Sequence, residues 1–355
     1  MKKNKFSVFL LYSCIITFMS CSSGPNFNED AWTESINSSD PKMLYAEHRD
    51  ENGNFFNPWM PRSEQRKNSN RFMFRKKTKF PKFDREQYKP VSNQYGYLAD
   101  SGFDSISYAG HGSFFIKIDG STIITDPFFS GHALVVAKKV KIKIDYSKIP
   151  QKPVVLISHN HYDHLDDKTV KNLVKKDSLF IVPLGLKNYF VKKGAAQVYE
   201  LDWWQSVTIN SVKYTLLPAQ HWSRRIGQGR NSTLWGGFMV EASKTFYFSG
   251  DTGYFAGFRE FGKQYNIDYA IIGAGAYEPR WFMHYSHTNI AEFFLAADDL
   301  QAKTVIPMHF GIISLSDEPL VYPLHEIDLF IGANPQYKNR VKALRVGEFF
   351  EIPAE

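Results

Sequence analysis

The chain has 355 residues, of which 43% are hydrophobic and 16% aromatic; that is ample material for a large core and excludes low-complexity disorder over most of its length. Its formal charge is +7, but three of the positive charges (Lys2, Lys3, Lys5) fall in the first five residues, so the remainder carries only a mild basic excess. The two cysteines, Cys14 and Cys21, both lie near the N-terminus, which excludes a disulfide framework or a thiolate metal site elsewhere.

The three lysines are followed by an apolar stretch from Phe6 to Phe18 and then by Phe18-Met19-Ser20-Cys21. A basic start, a short apolar run and a small-residue boundary predict a secretory signal over residues 1–20, too short to span a bilayer. The placement of Cys21 resembles a bacterial lipobox, which implies lipidation at Cys21 and a membrane-anchored lipoprotein of the cell envelope. Residues 21–101 are expected to be a lipidated tether and a basic aromatic arm. The part from 22 to 60 is polar, with Pro, Asn, Ser and Asp in excess, and begins to dock around Phe55-Phe56-Asn57-Pro58-Trp59. Between 62 and 90, eleven Lys or Arg stand against three acids, with Phe72, Phe74, Phe80 and Phe83 interleaved. That mixture suits an anionic membrane surface, or else a solvated arm packed over the catalytic domain. Nucleic acid would fit on charge alone and is not the expected partner.

From 102 to 355 short apolar runs alternate with Gly, Pro, Asp and Asn. Strands are predicted at Ser113–Ile118, Thr122–Thr125, Val154–Ser158, Leu179–Val182, Val212–Leu217, Phe238–Ala242, Thr245–Ser249, Tyr269–Ile272 and Thr304–Ile306. Ser243-Lys244 reads as a hairpin turn between two of them. A helix should start after Asp166, where Val170, Leu173 and Val174 share a face, and another after Thr288, where Ile290, Phe293, Phe294 and Ala297 do. Hairpins with a few interspersed helices predict an α+β fold of packed sheets covered by helices.

The strongest signal is Ser158-His159-Asn160-His161-Tyr162-Asp163-His164-Leu165-Asp166, set between a strand and a helix. In extended backbone, His159 and His161 point the same way. The following turn lets Asp163 and His164 reach a second point nearby. Three imidazoles and a carboxylate within six residues make a ligand set for a borderline metal such as zinc, which iron or manganese could also occupy. His221, Asp251 and His309 each follow a predicted strand, with glycines beside Asp251 and His309 that allow close backbone approach. Ligand-type residues beyond successive strand ends predict one metal site at a sheet rim.

This constellation resembles the metallo-β-lactamase superfamily, whose hallmark is His-x-His-x-Asp-His followed by His, Asp and His. The resemblance implies an αββα sandwich, here with an N-terminal extension, holding two metals. It assigns His159, His161 and His221 to one metal, Asp163, His164 and His309 to the other, and Asp251 to a bridge between them. Further strings, among them Asn57-Pro58-Trp59, Glu200-Leu201-Asp202-Trp203-Trp204, Gln220-His221-Trp222 and Gly275-Ala276-Tyr277-Glu278-Pro279-Arg280-Trp281, are similar to the N-acylphosphatidylethanolamine-hydrolysing phospholipases D. That implies a zinc-dependent phosphodiester hydrolase acting on a phospholipid through a metal-bridging hydroxide.

By the same resemblance His287 binds the substrate phosphate or acts as an acid, with Thr288 as the N-cap of the helix behind it. Tyr162 lines the mouth in contact with substrate, or packs beneath the loop. His111 and Asp126 are expected to support ligands rather than bind metal. Trp203, Trp204 and Trp222 flank a lipid groove or fill the core. A lactonase or another phosphodiesterase of the superfamily is the alternative function, and the oligomeric state is left open.

Overall fold

The computed structural model describes residues 27–62, 64, 69–91, 103–141 and 143–353. The expected signal segment, with Cys21, lies outside the described residues.

The tether expected up to residue 60 is instead packed structure from residue 27 onward. Helix α1 (Glu29–Asn37) starts where the Asn28 side chain accepts from Ala31 N–H, with Glu29 and Asp30 in the first turn, as the helix dipole favours. Trp32 and Ile36, one turn apart, are buried, and so are Leu44, Phe55, Asn57, Trp59 and Met60. These apolar residues are too widely spaced to show a period in sequence, because each contacts a distant part of the chain. Trp59 stacks on Phe255 and lies 5.4 Å from Trp203, while Tyr45 stacks on Trp204 at 4.6 Å. Trp203 and Trp204 therefore receive the N-terminal segment.

The basic arm includes the short helix α2 (Ser69–Met73) and is laid over the domain at defined points. Arg75 forks onto Asp317 at 2.6 and 3.2 Å, Phe80 and Phe83 meet Tyr322 edge-on, and Tyr88 donates to Asp328 at 2.7 Å.

Strands β1 (Ser105–Gly110), β2 (Ser113–Ile118) and β3 (Ser121–Thr125) form an antiparallel meander. A small separate hairpin, β4 (His132–Ala133) and β5 (Val136–Ala137), follows. Then β6 (Val154–Leu156), β7 (Leu179–Pro183) and β8 (Gln197–Leu201) add in parallel beside β3. The second sheet contains β9 (Ser206–Ile209), β10 (Val212–Leu217), β11 (Gly237–Glu241) and β12 (Thr245–Phe248) in antiparallel order, then β13 (Tyr269–Gly273) and β14 (Thr304–Met308) in parallel. Finally β15 (Phe349–Glu351) returns to the free side of β1.

Side-chain alternation divides the core into layers. Phe114, Ile116, Ile123, Leu156 and Ile181 face inward toward the second sheet, while their neighbours Phe115, Ile124, Val155 and Phe180 face outward. That outer face is closed by Val170 and Leu173 of α3 (Asp167–Val174) and by Phe190 of α4 (Lys187–Val191). On the far side of the second sheet lie α5 (Gly257–Gln264), α6 (Arg280–Met283), α7 (Ile290–Asp299) and α8 (Tyr322–Ala333). Phe258, Phe261, Phe293 and Phe294 are completely buried there, each side chain contributing about 1.5–3 kcal/mol through burial. The result is the αββα sandwich. Backbone hydrogen bonds also join the two sheets at one end, from Leu234 N to Leu184 O, Gly236 N to Ser158 O, His111 N to Phe310 O and His309 N to His111 O, at 2.8–3.1 Å. Among the described residues no helix is long and apolar enough to cross a membrane.

Candidate metal centre

At that stitched end the seven predicted ligand residues converge. His159 and His161 follow β6, His221 follows β10, Asp251 follows β12 and His309 follows β14. Asp163 and His164 lie in the turn ahead of α3, whose N-cap Asp166 accepts from Lys168 N–H and, at 2.7 Å, from Ser130 N–H. Behind the turn, buried Asp126 accepts from Ser158 N–H at 2.7 Å and holds His164 Nδ1 at 2.7 Å, so β3 fixes the loop that carries four ligand candidates.

Two groups form. His159 Nε2 and His221 Nε2 face His161 Nδ1 at 2.8 and 3.2 Å. Asp163, His164 and His309 make the second group, and His111 joins it through a 2.7 Å contact between its Nε2 and Asp163 Oδ2. Asp251 stands between the two. Its Oδ2 lies 3.2 Å from His164 Nε2, 3.8 Å from His221 Nε2 and 3.9 Å from His159 Nε2, while Oδ1 lies 3.0 Å from His309 Nε2.

The far nitrogens are held by the protein. His159 Nδ1 meets the Ser158 hydroxyl at 2.8 Å, while His221 Nδ1 and His309 Nδ1 each lie 3.3 Å from a carbonyl, of Ser286 and Gly275. Such contacts fix tautomer and ring orientation and leave the inner nitrogens to one another. Burial lowers the pKa of His161 to about 4 and those of His159 and His221 well below the usual imidazole value, so these rings are neutral, as metal ligands must be. For Asp251 burial acts in the opposite sense, but His164 and His309 outweigh it and keep the carboxyl well below its ordinary range. His164 is also opposed by burial, yet Asp251, Asp163 and Asp126 around it raise its pKa well above that of free imidazole. Among the described residues, buried His161 Nε2 and His111 Nδ1 have no hydrogen-bond partner. Clustered imidazole nitrogens beside two carboxylates fit divalent cations of the zinc type.

His287 is brought to the same place. Its half-buried ring stacks 5.1 Å from His309 and stands edge-on 5.5 Å from His221, and it groups with His221 and Asp251. Its expected support is corrected: Asn289, not Thr288, caps α7, in a capping box with Glu292, and the Thr288 hydroxyl donates instead to Gly273 O. The box occupies the N–H groups of Asn289 and Glu292, so His287 reaches the site through its ring and owes nothing to an open helix terminus.

Tyr162 lines an open cleft of about 370 Å³ with Leu134, Asp167 and Arg225. Its hydroxyl accepts from Ile226 N–H, and the Arg225 guanidinium lies 4.0 Å above its ring. Trp222 packs against His161 at 4.3 Å, and the Arg230 guanidinium lies 4.3 Å over its ring.

Besides His111, for which a supporting role was expected, sequence reasoning missed two supports of the site, Asn57 and Arg280. His111 adopts a left-handed conformation (φ 59°) that lets its backbone pair with His309 and Phe310 while its ring meets Asp163. Asn57, fully buried, donates to His221 O at 3.1 Å and accepts from Trp235 Nε1 at 3.2 Å. Arg280 joins Glu29 of α1 and Glu292 of α7 and donates to His287 O at 3.1 Å. Gly110-His111-Gly112 and Asn57-Pro58-Trp59 were visible as strings, but their contacts span 50 to 200 residues and leave no local trace.

A Beta-lactamase superfamily domain model matches residues 121–310. The chain is 32% identical over 239 residues to the mitochondrial N-acyl-phosphatidylethanolamine-hydrolyzing phospholipase D of Saccharomyces cerevisiae, covering 63% of this chain and 51% of that protein. The match therefore spans about half the length of the yeast relative. It is 28% identical over 258 residues to N-acyl-phosphatidylethanolamine-hydrolyzing phospholipase D 1 of Caenorhabditis elegans, covering 67% and 69%. A UPF0173 metal-dependent hydrolase of Anoxybacillus flavithermus is 28% identical, covering 70% of this chain and 99% of that one. Among solved structures, a metallo hydrolase from the archaeon Ignicoccus hospitalis superposes with a TM-score of 0.55 at 20% identity, covering 71% of this chain and 99% of that one. A possible metal-dependent hydrolase from Veillonella parvula does so with a TM-score of 0.59 at 15% identity, covering 71% and 100%. With its αββα sandwich, its clustered histidines and aspartates and this family match, the chain belongs to the metallo-β-lactamase superfamily and is a metal-dependent hydrolase.

Proposed function

We propose that the protein is a phospholipase D-type phosphodiester hydrolase that converts N-acylphosphatidylethanolamine to N-acylethanolamine and phosphatidic acid at a two-zinc centre. The observation that carries the reading is the placement of Asp251, whose Oδ2 faces His159 and His221 of one ligand group and His164 of the other, while its Oδ1 faces His309. The likeness to yeast and nematode proteins of that name supports the choice of substrate. His159, His161 and His221 would hold one metal, Asp163, His164 and His309 the other, and Asp251 both. Bound there, the metals would activate water and polarise the phosphoryl oxygens.

The protein's own part is positioning and proton transfer. In the hydrolysis, a water oxygen bonds to phosphorus as the bond from phosphorus to the ethanolamine oxygen breaks, and that oxygen takes up a proton. His287, between the rings of His221 and His309, is placed to contact the phosphoryl group or to supply that proton. Tyr162 borders the cleft where the rest of the substrate would lie. With this goes a location in the bacterial cell envelope through a lipid on Cys21, supported by the basic start, the apolar run and the small-residue boundary of residues 1–21.

The test is a product assay on purified, metal-loaded protein with Asp251→Asn as control, offering N-acylphosphatidylethanolamine, phosphatidylethanolamine and a phosphorylated lactone. Phosphatidic acid and N-acylethanolamine from wild type alone are expected. Lactone opening alone would move the chain to another branch of the superfamily.

A further inference from the structure

Three separate segments carry apolar side chains into solvent. Phe74 is 87% exposed, Val135 85% and Ile226 75%, with Met73 and Leu134 beside them. Isolated exposure of this kind is ordinary, but the β4–β5 tip and Ile226 border one cleft, and a chain of contacts leads from that hairpin to the arm that carries Phe74. Leu134 at the β4–β5 tip lines the cleft shared with Tyr162 and Arg225, and Ile226 N–H donates to Tyr162. The segment leaving that hairpin donates from Lys139 N–H and Val140 N–H to Ile312 O, close in the chain to Asp317, which holds Arg75 next to Phe74. The arm is pinned on both sides of Phe74, by Phe72 stacked on Phe282 and by Arg75 on Asp317, so Phe74 projects from a fixed base.

Cations accompany these tips. Lys76, Lys77, Lys79 and Lys82 follow Phe74, and Lys168 lines the cleft; among the described residues none of the five has an ion-pair partner. Asp317, an acid in contact with the arm, is already matched by Arg75. Scattered apolar prongs mixed with ammonium groups unmatched among the described residues fit a surface that is anionic at the top and apolar just beneath.

We propose that the rim formed by Phe74, Leu134-Val135 and Ile226 docks onto an anionic phospholipid bilayer, with the lysines at headgroup level and the metal centre opening toward the lipid. This deepens the phospholipid reading by naming the surface that presents the substrate. Docking is measured without turnover, so either idea can fail while the other survives.

The experiment uses the full chain with Cys14→Ser and Cys21→Ser and a single cysteine introduced by Phe74→Cys, Val135→Cys or Ile226→Cys, each carrying an environment-sensitive fluorophore. Ser243→Cys, in the turn at the opposite end of β11 and β12, is the control. Residues 1–26 could hold the chain on a vesicle unaided, but only rim contact changes the rim labels. Vesicles of phosphatidylcholine with ~30% phosphatidylglycerol should shift all three rim labels to the blue, less so at high salt, and leave the Ser243 label unchanged. Replacing Lys76, Lys77 and Lys79 by Gln should weaken the titrated response on the order of 100-fold. Unshifted rim labels on protein that sediments with vesicles would overturn the proposal. So would an equal shift with pure phosphatidylcholine, or a concentration-dependent shift without lipid, which would assign the rim to a second copy of the chain.

Discussion

Asn57 belongs to a segment outside the matched family region, yet it touches the backbone of a candidate metal ligand. Its Nδ2 donates to His221 O at 3.1 Å and to the Tyr285 hydroxyl, and its Oδ1 accepts from Trp235 Nε1. In Asn57→Ala, Trp235 keeps its 2.8 Å bond to Ala219 O, but His221 O and the Tyr285 hydroxyl each lose this buried partner. At about 1–3 kcal/mol for each group deprived of this bond, the expected loss of stability is roughly 2–6 kcal/mol. The His221 ring would then be located mainly by its 3.3 Å contact with Ser286 O. Removing such support typically weakens metal affinity about 10–100-fold. Urea unfolding of the metal-free protein measures the first quantity, and zinc titration against a competing chelator the second. Zinc affinity within about twofold of wild type would refute the positioning argument, even if stability fell as expected.

Gly275→Ala tests the second ligand group: a Cβ there would lie 2.1 Å from His309 O, so His309 must move, and bound metal measured by elemental analysis should fall from the proposed two per chain toward one. Arg280→Met leaves Glu29 and Glu292 without their buried guanidinium and should cost about 3–5 kcal/mol in urea unfolding. Adding Glu29→Gln should recover part of that loss, whereas strictly additive effects would show that the pair is not coupled. Glu326→Gln tests a pH dependence. Burial raises the Glu326 carboxyl from 4.5 to about 7, against the hydrogen bond from Tyr277 and with help from Glu318. The folded state thus holds a proton that the unfolded state releases, so stability falls as pH rises from 4.5 toward 7 and stays lost above it. The substitution should therefore stabilise by up to about 3 kcal/mol near pH 8 and by almost nothing near pH 4, as read by urea midpoints.

The sandwich strands were legible because each alternates between two apolar layers, and the ligands because they follow strand ends in one compact motif. Other strands escaped notice: β8 (Gln-Val-Tyr-Glu-Leu) is an edge with polar positions, and β15 is three residues long. Helix α5 contains Gly257 and Gly262, poor helix formers, and is held by Phe258 and Phe261 beneath it. Gly262 is required there, since a Cβ would meet Asp299 O of α7 at 2.1 Å. The N-terminal segment was the largest omission. The cap at Asn28 and the Trp32/Ile36 pair were local signals of α1, but what makes the segment part of the domain is Trp59 on Phe255 and Glu29 on Arg280, contacts between residues some 200 and 250 positions apart.

The four cross-sheet hydrogen bonds at Leu184, Ser158 and His111 bear on how the molecule can move. They clamp the layers at the end where the imidazoles meet, so the sheets cannot swing apart there without breaking backbone pairs at several points together. The rings should keep their mutual arrangement when metal is stripped away, so reloading becomes a matter of ion capture, with little refolding to await.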